Sequence, residues 1–302
     1  YGDQGVLALF SDSTNAEHAG YTPSERSVND RFESIFRTSK GRIILSCFTS
    51  SIPRLQLVID QAHHYGRLVS FLGRRMSENT ETAEALGFLK IPPGISIRSK
   101  DIRNHPREKV CVVSGGCQGE PMSALSRLAL DSHKDFKIDE GDTVVLSARQ
   151  IPGNERAIGR MMDHFYRRRA EIYYPDGSQP PVHVSGHASE EELKLVVSLV
   201  KPKYFIPIHG TYRQLIRHAK LVEKTGVVQE RIIVAETGDI IRFGPAGAEI
   251  TGKATVGRVL IDEGSLEEVE EVVIRDRRHI SEDGIILPII AINKQTGAME
   301  IP

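Results

Sequence analysis

Short β-branched runs alternate along this chain with segments of helical apolar period, and that alternation leaves few folds open. Residues 42–47, 68–72, 109–113 and 143–146 are apolar almost throughout, which suits strands covered on both faces. Residues 53–65 carry Leu55, Val58, Ile59 and Ala62 at helical spacing and stop at Gly66. Residues 82–89, 122–130 and 154–167 also read as helices. Ser189 followed by three glutamates opens another, running through Leu199, with a serine cap and an acidic first turn. The predicted class is α/β, with a largely parallel sheet flanked by helices. After Gly238 the pattern shifts to short β runs and many glycines. An acidic helix or loop is expected near residues 266–271, and 285–292 reads as a buried strand.

Charge narrows the possible partners. Lys plus Arg number 39 against 40 Asp plus Glu, a net charge of −1, so no global basic field draws nucleic acid to the chain. Such binding would have to use local patches, for which Arg74-Arg75, Arg167-Arg168-Arg169 and Arg275 with Arg277-Arg278 are candidates, each equally a solvated face. Three cysteines with no CxxC spacing argue against a disulfide framework and for a reducing, cytoplasmic compartment. No apolar run approaches the about 18 to 20 residues of a membrane span. The chain enters a strand pattern within a few residues of Tyr1 and stops at Pro302 after another, so both ends read as cut from something longer.

Four stretches can carry chemistry. In Ser11-Asp-Ser-Thr-Asn15 a carboxylate leaves the first strand, where it can orient a histidine, bind metal or simply form an Asx-turn. Ser114-Gly-Gly-Cys-Gln-Gly-Glu-Pro121 offers backbone N–H groups to an anion, or a plain turn; it matches neither Walker A nor GxGxxG. In His183-Val-Ser-Gly-His187, an extended chain puts His183, Ser185 and His187 on one face. That face could clamp a phosphate through the Ser185 hydroxyl, the Gly186 N–H and imidazole, with His187 as a general acid. His209 ends the apolar run 205–208 and is followed by Gly210, the place of a strand-tip metal ligand or of a buried imidazole bonded to a carbonyl. His63, His64, His105, His133 and His218 show no ligand spacing and read as structural or solvent-facing.

In this order the stretches resemble the β-CASP branch of the metallo-β-lactamase superfamily, and within it the ribonuclease J family. Residues 11–17 with 20–25 look like the segment around its first β-CASP motif. Phe48-Thr-Ser-Ser-Ile-Pro-Arg54, Gly73-Arg-Arg-Met76, residues 115–122 and Ile151-Pro-Gly-Asn-Glu155 are similar to its inserted domain and the return from it. Residues 183–188 and Pro207-Ile-His-Gly210 match its second and third motifs, and residues 275–278 with 281–284 resemble the end of its catalytic core.

The resemblance implies a partial metallo-β-lactamase αββα sandwich with an inserted β-CASP α/β domain. Residues 1–22 and 148–250 would belong to the former, 23–147 to the latter, and 251–302 to the end of the core and the lead-in to a C-terminal domain. Asp12 would orient the general-acid His187. His183, Val184, Ser185, Gly186 and His187 would contact the substrate phosphate, and His209 would be a ligand of one of two zinc ions. The implied activity is 5′→3′ exoribonuclease, favouring a 5′-monophosphate end, with endonuclease activity, in dimers or tetramers acting in RNA decay and maturation.

Two departures qualify it. The family's HxHxDH motif, its next ligand histidine and its bridging aspartate have no counterpart here; in the family's order they precede Tyr1. With His209 the one ligand kept, a fragment lacking the N-terminal metal-binding half is expected, inactive by itself, with an open apolar face or strand edge where that half would pack. Thr211 stands where the family often has glutamate, and Cys117 replaces a Ser or Thr. The alternative is a metal-free RNA-binding or assembly module of the same fold. A Rossmann-like nucleotide site at residues 141–146 lacks a phosphate-loop fingerprint.

Overall fold

The computed structural model describes residues 1–257, 259, 261, 271–282, 291–292 and 299–300. They fall into two compact units, Tyr1–Val234 and Ala235–Pro302.

The first unit is built on a five-stranded parallel sheet of β2 (Ile43–Ser46), β3 (Leu68–Leu72), β4 (Val110–Ser114), β5 (Thr143–Leu146) and β6 (Glu171–Tyr173), in the order β3-β4-β2-β5-β6. Every residue of β2, β4 and β5 is buried, because side chains of both parities have a core to enter. Ile43, Leu45, Cys111, Val113 and Val145 face one cluster, with Phe32, Ile35 and Phe36 of α1 (Asn29–Thr38) and Leu55, Val58 and Ile59 of α2 (Ile52–His64). Ile44, Val112, Val144 and Leu146 face the other, with Leu125 and Leu128 of α4 (Ala124–Ala129) and Ile158, Met161 and Phe165 of α5 (Glu155–Arg167). The four strands expected from sequence are therefore in place, covered on both faces.

One of the expected helices lies elsewhere than its period suggests. The segment expected at 82–89 is α3 (Arg74–Ala85), which opens directly after Gly73 and ends before Gly87, both at positive φ. Its buried residues are Met76, Thr80 and Ala83. Two of the three are small, so the inward face carries too little apolar signal to mark where the helix starts.

The glycine-rich stretch after β4 is explained by packing. Gly116 has φ +102 and a Cβ there would lie 2.4 Å from Ser123 Oγ; at Gly119, φ +70, it would lie 2.9 Å from the Ala157 backbone of α5. Both glycines let the turn fold tightly under the helices that follow.

A separate parallel pair, β1 (Val6–Asp12) with β7 (Pro202–Ile208), brings together the two strands whose ends carry Asp12 and His209. Val197 of α6 (Glu190–Val200), Phe205 of β7 and Val222 of α7 (Tyr212–Glu223) form a small core beneath it. Leu7, Phe10 and Ile208 remain exposed on this pair.

The second unit contains an antiparallel hairpin, β8 (Asp239–Gly244) and β9 (Gly247–Lys253), the helix α8 (Glu271–Glu282), and a two-residue pairing of β10 (Ala291–Ile292) with β11 (Met299–Glu300). The units part at 234/235, and the hairpin's ladder holds residues 239–253 together. The acidic segment at 266–271 lies outside the described residues except Glu271, and the run 285–292 except β10. No helix among the described residues is long and apolar enough to cross a membrane.

Candidate functional site

β1 and β7 run parallel with Asp12 opposite Ile208, so the residues leaving the two strands emerge side by side. The pairing continues one step further, with the Ser13 N–H donating to the Ile208 carbonyl at 2.8 Å. His209 turns sharply out of β7 at φ 54. Its ring is largely exposed, not buried, and its Nδ1 lies 2.9 Å from Asp12 Oδ2 and 3.0 Å from Thr14 Oγ1. His187 reaches the same carboxylate oxygen from its own loop, Nδ1 to Oδ2 at 2.9 Å. The two imidazoles stack with centroids 5.6 Å apart and planes 19° from parallel. The sequence places these three residues up to 197 positions apart; the fold makes them one cluster.

The state of Asp12 fixes the tautomers. Burial raises its pKa, but hydrogen bonds from Thr14 and the nearby charge of His187 outweigh it and hold the carboxyl below its usual range. An ionised carboxylate can only accept, so His187 Nδ1 carries the proton. The Thr14 hydroxyl donates to the His209 carbonyl at 3.1 Å, so it accepts from His209 Nδ1–H, and among the described residues no hydrogen bond engages either Nε2. The Thr14 amide also donates to Asp12 Oδ1 at 2.8 Å, so the Asx-turn and the orienting role coexist.

A metal fits this donor set in kind. Asp12, His187 and His209 each offer a ligand atom within 4.8 Å of the others, and two imidazoles with a carboxylate are groups that zinc takes.

The 183–187 segment is an irregular loop, not a strand end, although Val182 and Val184 still alternate inward against His183 and Ser185. Val184 packs in the core, which leaves its backbone for the site. Ser185 Oγ accepts from Asn15 Nδ2 at 2.9 Å and from the His187 N–H at 3.1 Å, so its own proton is what it has to offer. A Cβ on Gly186 would meet nothing within 4 Å. The His187 carbonyl is held by Asn15 Nδ2 at 2.9 Å and the Thr22 hydroxyl at 2.7 Å.

His183 is fixed differently. Its Nδ1 accepts from Arg54 Nη1 at 2.8 Å, and burial, with the Arg54 charge, pushes its pKa down to about 4. It is a neutral imidazole whose Nε2–H is the available donor. Arg54 is 2% exposed; it also donates to the Ser147 hydroxyl and carbonyl and forms a forked pair with Glu25, closest contact 2.7 Å. Arg54 thus ties the 183–187 loop to α2 and to the end of β5.

These groups border a cavity of about 520 Å³ whose wall includes Phe48, Ser51, Arg149, Ile151, Ser185 and Gln214. It opens at the carboxyl ends of β2 and β5, where the strand order reverses, the usual crevice of such sheets. Arg149 donates to Asn15 Oδ1 at 2.9 Å and to His18 Nε2 at 3.0 Å. Among the described residues no carboxylate lies within salt-bridge distance of it, so its charge faces the cavity uncompensated. Gln118 of the glycine-rich stretch donates to the Arg149 carbonyl and accepts from the Ile151 N–H, both at 2.9 Å, which holds that wall.

Sequence reasoning assigned no role to Asn15, Glu25, Arg54 or Arg149. Arg54 had a usable signal: it lies four residues before Val58, on the apolar face of an expected helix, where a charge needs a buried partner. Thr211, opposite the family's glutamate, is the N-cap of α7 in a capping box with Gln214.

The neutral histidines give a pH signature. His218, fully buried, is likewise pushed down to about 4 by burial. Each of the two rings takes up a proton near 6.5 in the unfolded chain but only near 4 when folded. Their stabilisation is therefore complete above 6.5 and lost as pH falls from 6.5 to 4, by roughly 2 to 3 kcal/mol apiece. Urea midpoints measured between pH 7 and 4.5 should fall, and a His183→Gln variant should flatten the decline. A level profile in the unaltered chain would contradict the neutral assignment.

Comparison with known proteins agrees with this architecture. The family model for "Ribonuclease J, beta-CASP domain" matches residues 40–165, and that for "Zn-dependent metallo-hydrolase RNA specificity domain" matches residues 181–235. The chain is 40% identical over 294 residues to Ribonuclease J2 of Bacillus subtilis, covering 97% of this chain and 52% of the relative. It is 34% identical over 299 residues to Ribonuclease J of Helicobacter pylori (99% and 43%) and 36% identical over 299 to that of Synechocystis (99% and 46%). The chain spans about half the length of the curated relatives it matches. Both family models and these identities, which run along nearly all of this chain, point to the ribonuclease J family of the metallo-β-lactamase superfamily.

Proposed function

We propose that this chain carries the general-acid and phosphate-binding side of a zinc-dependent ribonuclease site. The observation behind this reading is the Asp12 carboxylate, which accepts from His187 Nδ1–H at 2.9 Å while the His209 Nδ1 lies 2.9 Å from the same oxygen. Protonated on both nitrogens, His187 gives its Nε2 proton to the leaving oxygen as the phosphorus–oxygen bond breaks, while the Asp12 carboxylate balances the imidazolium. His209, whose Nδ1 bonds the Thr14 hydroxyl and lies 2.9 Å from the same carboxylate, would be a metal ligand through its other ring nitrogen. The Ser185 hydroxyl, the Gly186 N–H and the His183 Nε2–H supply neutral donors to the substrate phosphate, with the backbone of Val184 between them. Two zinc ions, where bound, would activate the attacking water and offset charge on the phosphate.

The substrate class is RNA, preferably with a 5′-monophosphate, cut 5′→3′ and also internally, by a cytoplasmic dimer or tetramer. His209 alone among the expected ligands cannot hold catalytic zinc, so this chain by itself is inactive. The test compares the chain with a version extended upstream to the length of its relatives. Zinc per protomer, degradation of 5′-monophosphorylated RNA and sedimentation velocity are measured on both. The extended protein should bind two zincs, degrade RNA and sediment as an oligomer; the chain alone should bind no catalytic zinc and leave RNA intact. An extended protein that binds RNA but no zinc would instead favour the metal-free binding module.

A further inference from the structure

We propose that Gln214 and His218, one turn apart on the same face of α7, are positioning residues that fix Asp12 relative to His209. The proposal rests on the reading of that cluster as the working site. Residues 12–15 leave β1 with alternating destinations. Asp12 and Thr14 turn to the histidines, whereas Ser13 and Asn15 are buried, 0% and 2% exposed. α7 grips this segment from behind at two points. Gln214 Nε2 donates to the Thr14 carbonyl at 2.7 Å, and His218 Nδ1 lies 3.0 Å from Ser13 Oγ. α7 begins at Tyr212, capped by Thr211, so only Gly210 separates its cap from His209. A clamp from this helix onto the 12–15 segment therefore sets the distance between a carboxylate on one strand and an imidazole on the other.

His218 would be a poor choice for packing alone. It is fully buried edge-on to Phe205, centroids 4.8 Å apart, and its Nε2 has no hydrogen-bond partner among the described residues. A leucine would fill that space without leaving a buried nitrogen unpaired. What leucine cannot do is hold the Ser13 hydroxyl. Gln214 likewise does more than cap: its Oε1 accepts from the Thr211 N–H at 2.7 Å while its amide reaches Thr14.

The test is amide hydrogen exchange by NMR on the chain itself, with no metal or RNA. The variants are His218→Leu, Ser13→Ala, the double variant, and His218→Asn, whose amide can replace Nδ1. If the clamp operates, His218→Leu and Ser13→Ala each speed exchange at the Ser13 and Thr14 amides roughly tenfold, the worth of one buried hydrogen bond. The double variant is no faster than either single, Val112 in β4 is unchanged, and His218→Asn stays within about twofold of the original. The Nδ1–H signals of His187 and His209 should also move in His218→Leu. Unchanged exchange at Ser13 and Thr14, or a rise matched at Val112, overturns the proposal. Should His218→Leu fail to fold, Ser13→Ala carries the same comparison. A failed nuclease assay on the extended protein would remove the function and leave this result standing.

Discussion

Replacing His187 with alanine in the upstream-extended protein is expected to reduce RNA cleavage by about 10²- to 10⁴-fold while leaving zinc content unchanged. The alanine removes the proton donor to the leaving oxygen but none of the proposed ligands. Asp12→Asn should fall in the same range for a different reason. An asparagine oxygen can still accept from Nδ1–H, but it no longer balances the imidazolium, and its NH₂ can present the wrong face to the two rings that share Oδ2. His209→Ala should instead lower zinc occupancy. Single-turnover cleavage and metal analysis on the same preparations separate these roles. Intact cleavage in His187→Ala would refute the general-acid role. Loss of zinc in that variant would make His187 a ligand, using the three-group cluster around Asp12 directly.

Sequence made some parts of this site legible and hid others, for physical reasons. The strands β2, β4 and β5 of the large sheet are buried throughout, so each reads as a short, nearly continuous apolar run. Asp12 and His209 stand at the ends of apolar runs of the separate β1-β7 pair, and His187 lies in a paired-histidine segment before a well-capped helix; all three were visible as candidates. Their convergence was not, because it depends on the register of β1 against β7, about 196 residues apart, which no local pattern encodes. The loop carrying His183 and His187 was read as extended because Val182 and Val184 do alternate inward, yet its shape comes from side-chain bonds by Asn15, Thr22 and Arg54. α7 went unread since its buried face includes His218, a residue that a periodicity argument counts as polar. Residues such as Arg54 and Asn15 act through partners far away in sequence, and that is the information a single chain withholds.

Asp142→Ala is expected to destabilise the first unit by about 3 to 5 kcal/mol, the loss typical when one partner of a buried ion pair is removed. Asp142 is fully buried at the start of β5. It accepts from the Arg42 N–H at 2.8 Å, from Arg42 Nη1 and the Asp139 N–H at 3.0 Å, and from Arg107 Nη2 at 2.8 Å. Arg42 stands just before β2, so this carboxylate staples the amino ends of the two central strands. Here the chains approach so closely that a Cβ on Gly41 would lie 2.3 Å from the Gly141 carbonyl oxygen. An alanine leaves the Arg42 guanidinium buried with only the half-exposed Asp139 to pair with. A thermal midpoint lower by roughly 10 °C follows for a unit of this size. Replacing both Arg42 and Asp142 with apolar residues of similar volume should recover much of that loss, since the penalty is the orphaned charge rather than the missing pair. The staple lies at the end of the sheet opposite the cavity. In the extended protein, Asp142→Ala assayed well below its melting range should therefore keep its cleavage rate within about twofold, as a ΔΔG of folding without contact to the site requires. A rate that falls with stability at low temperature would mean that the amino ends of β2 and β5 are coupled to the site at their carboxyl ends.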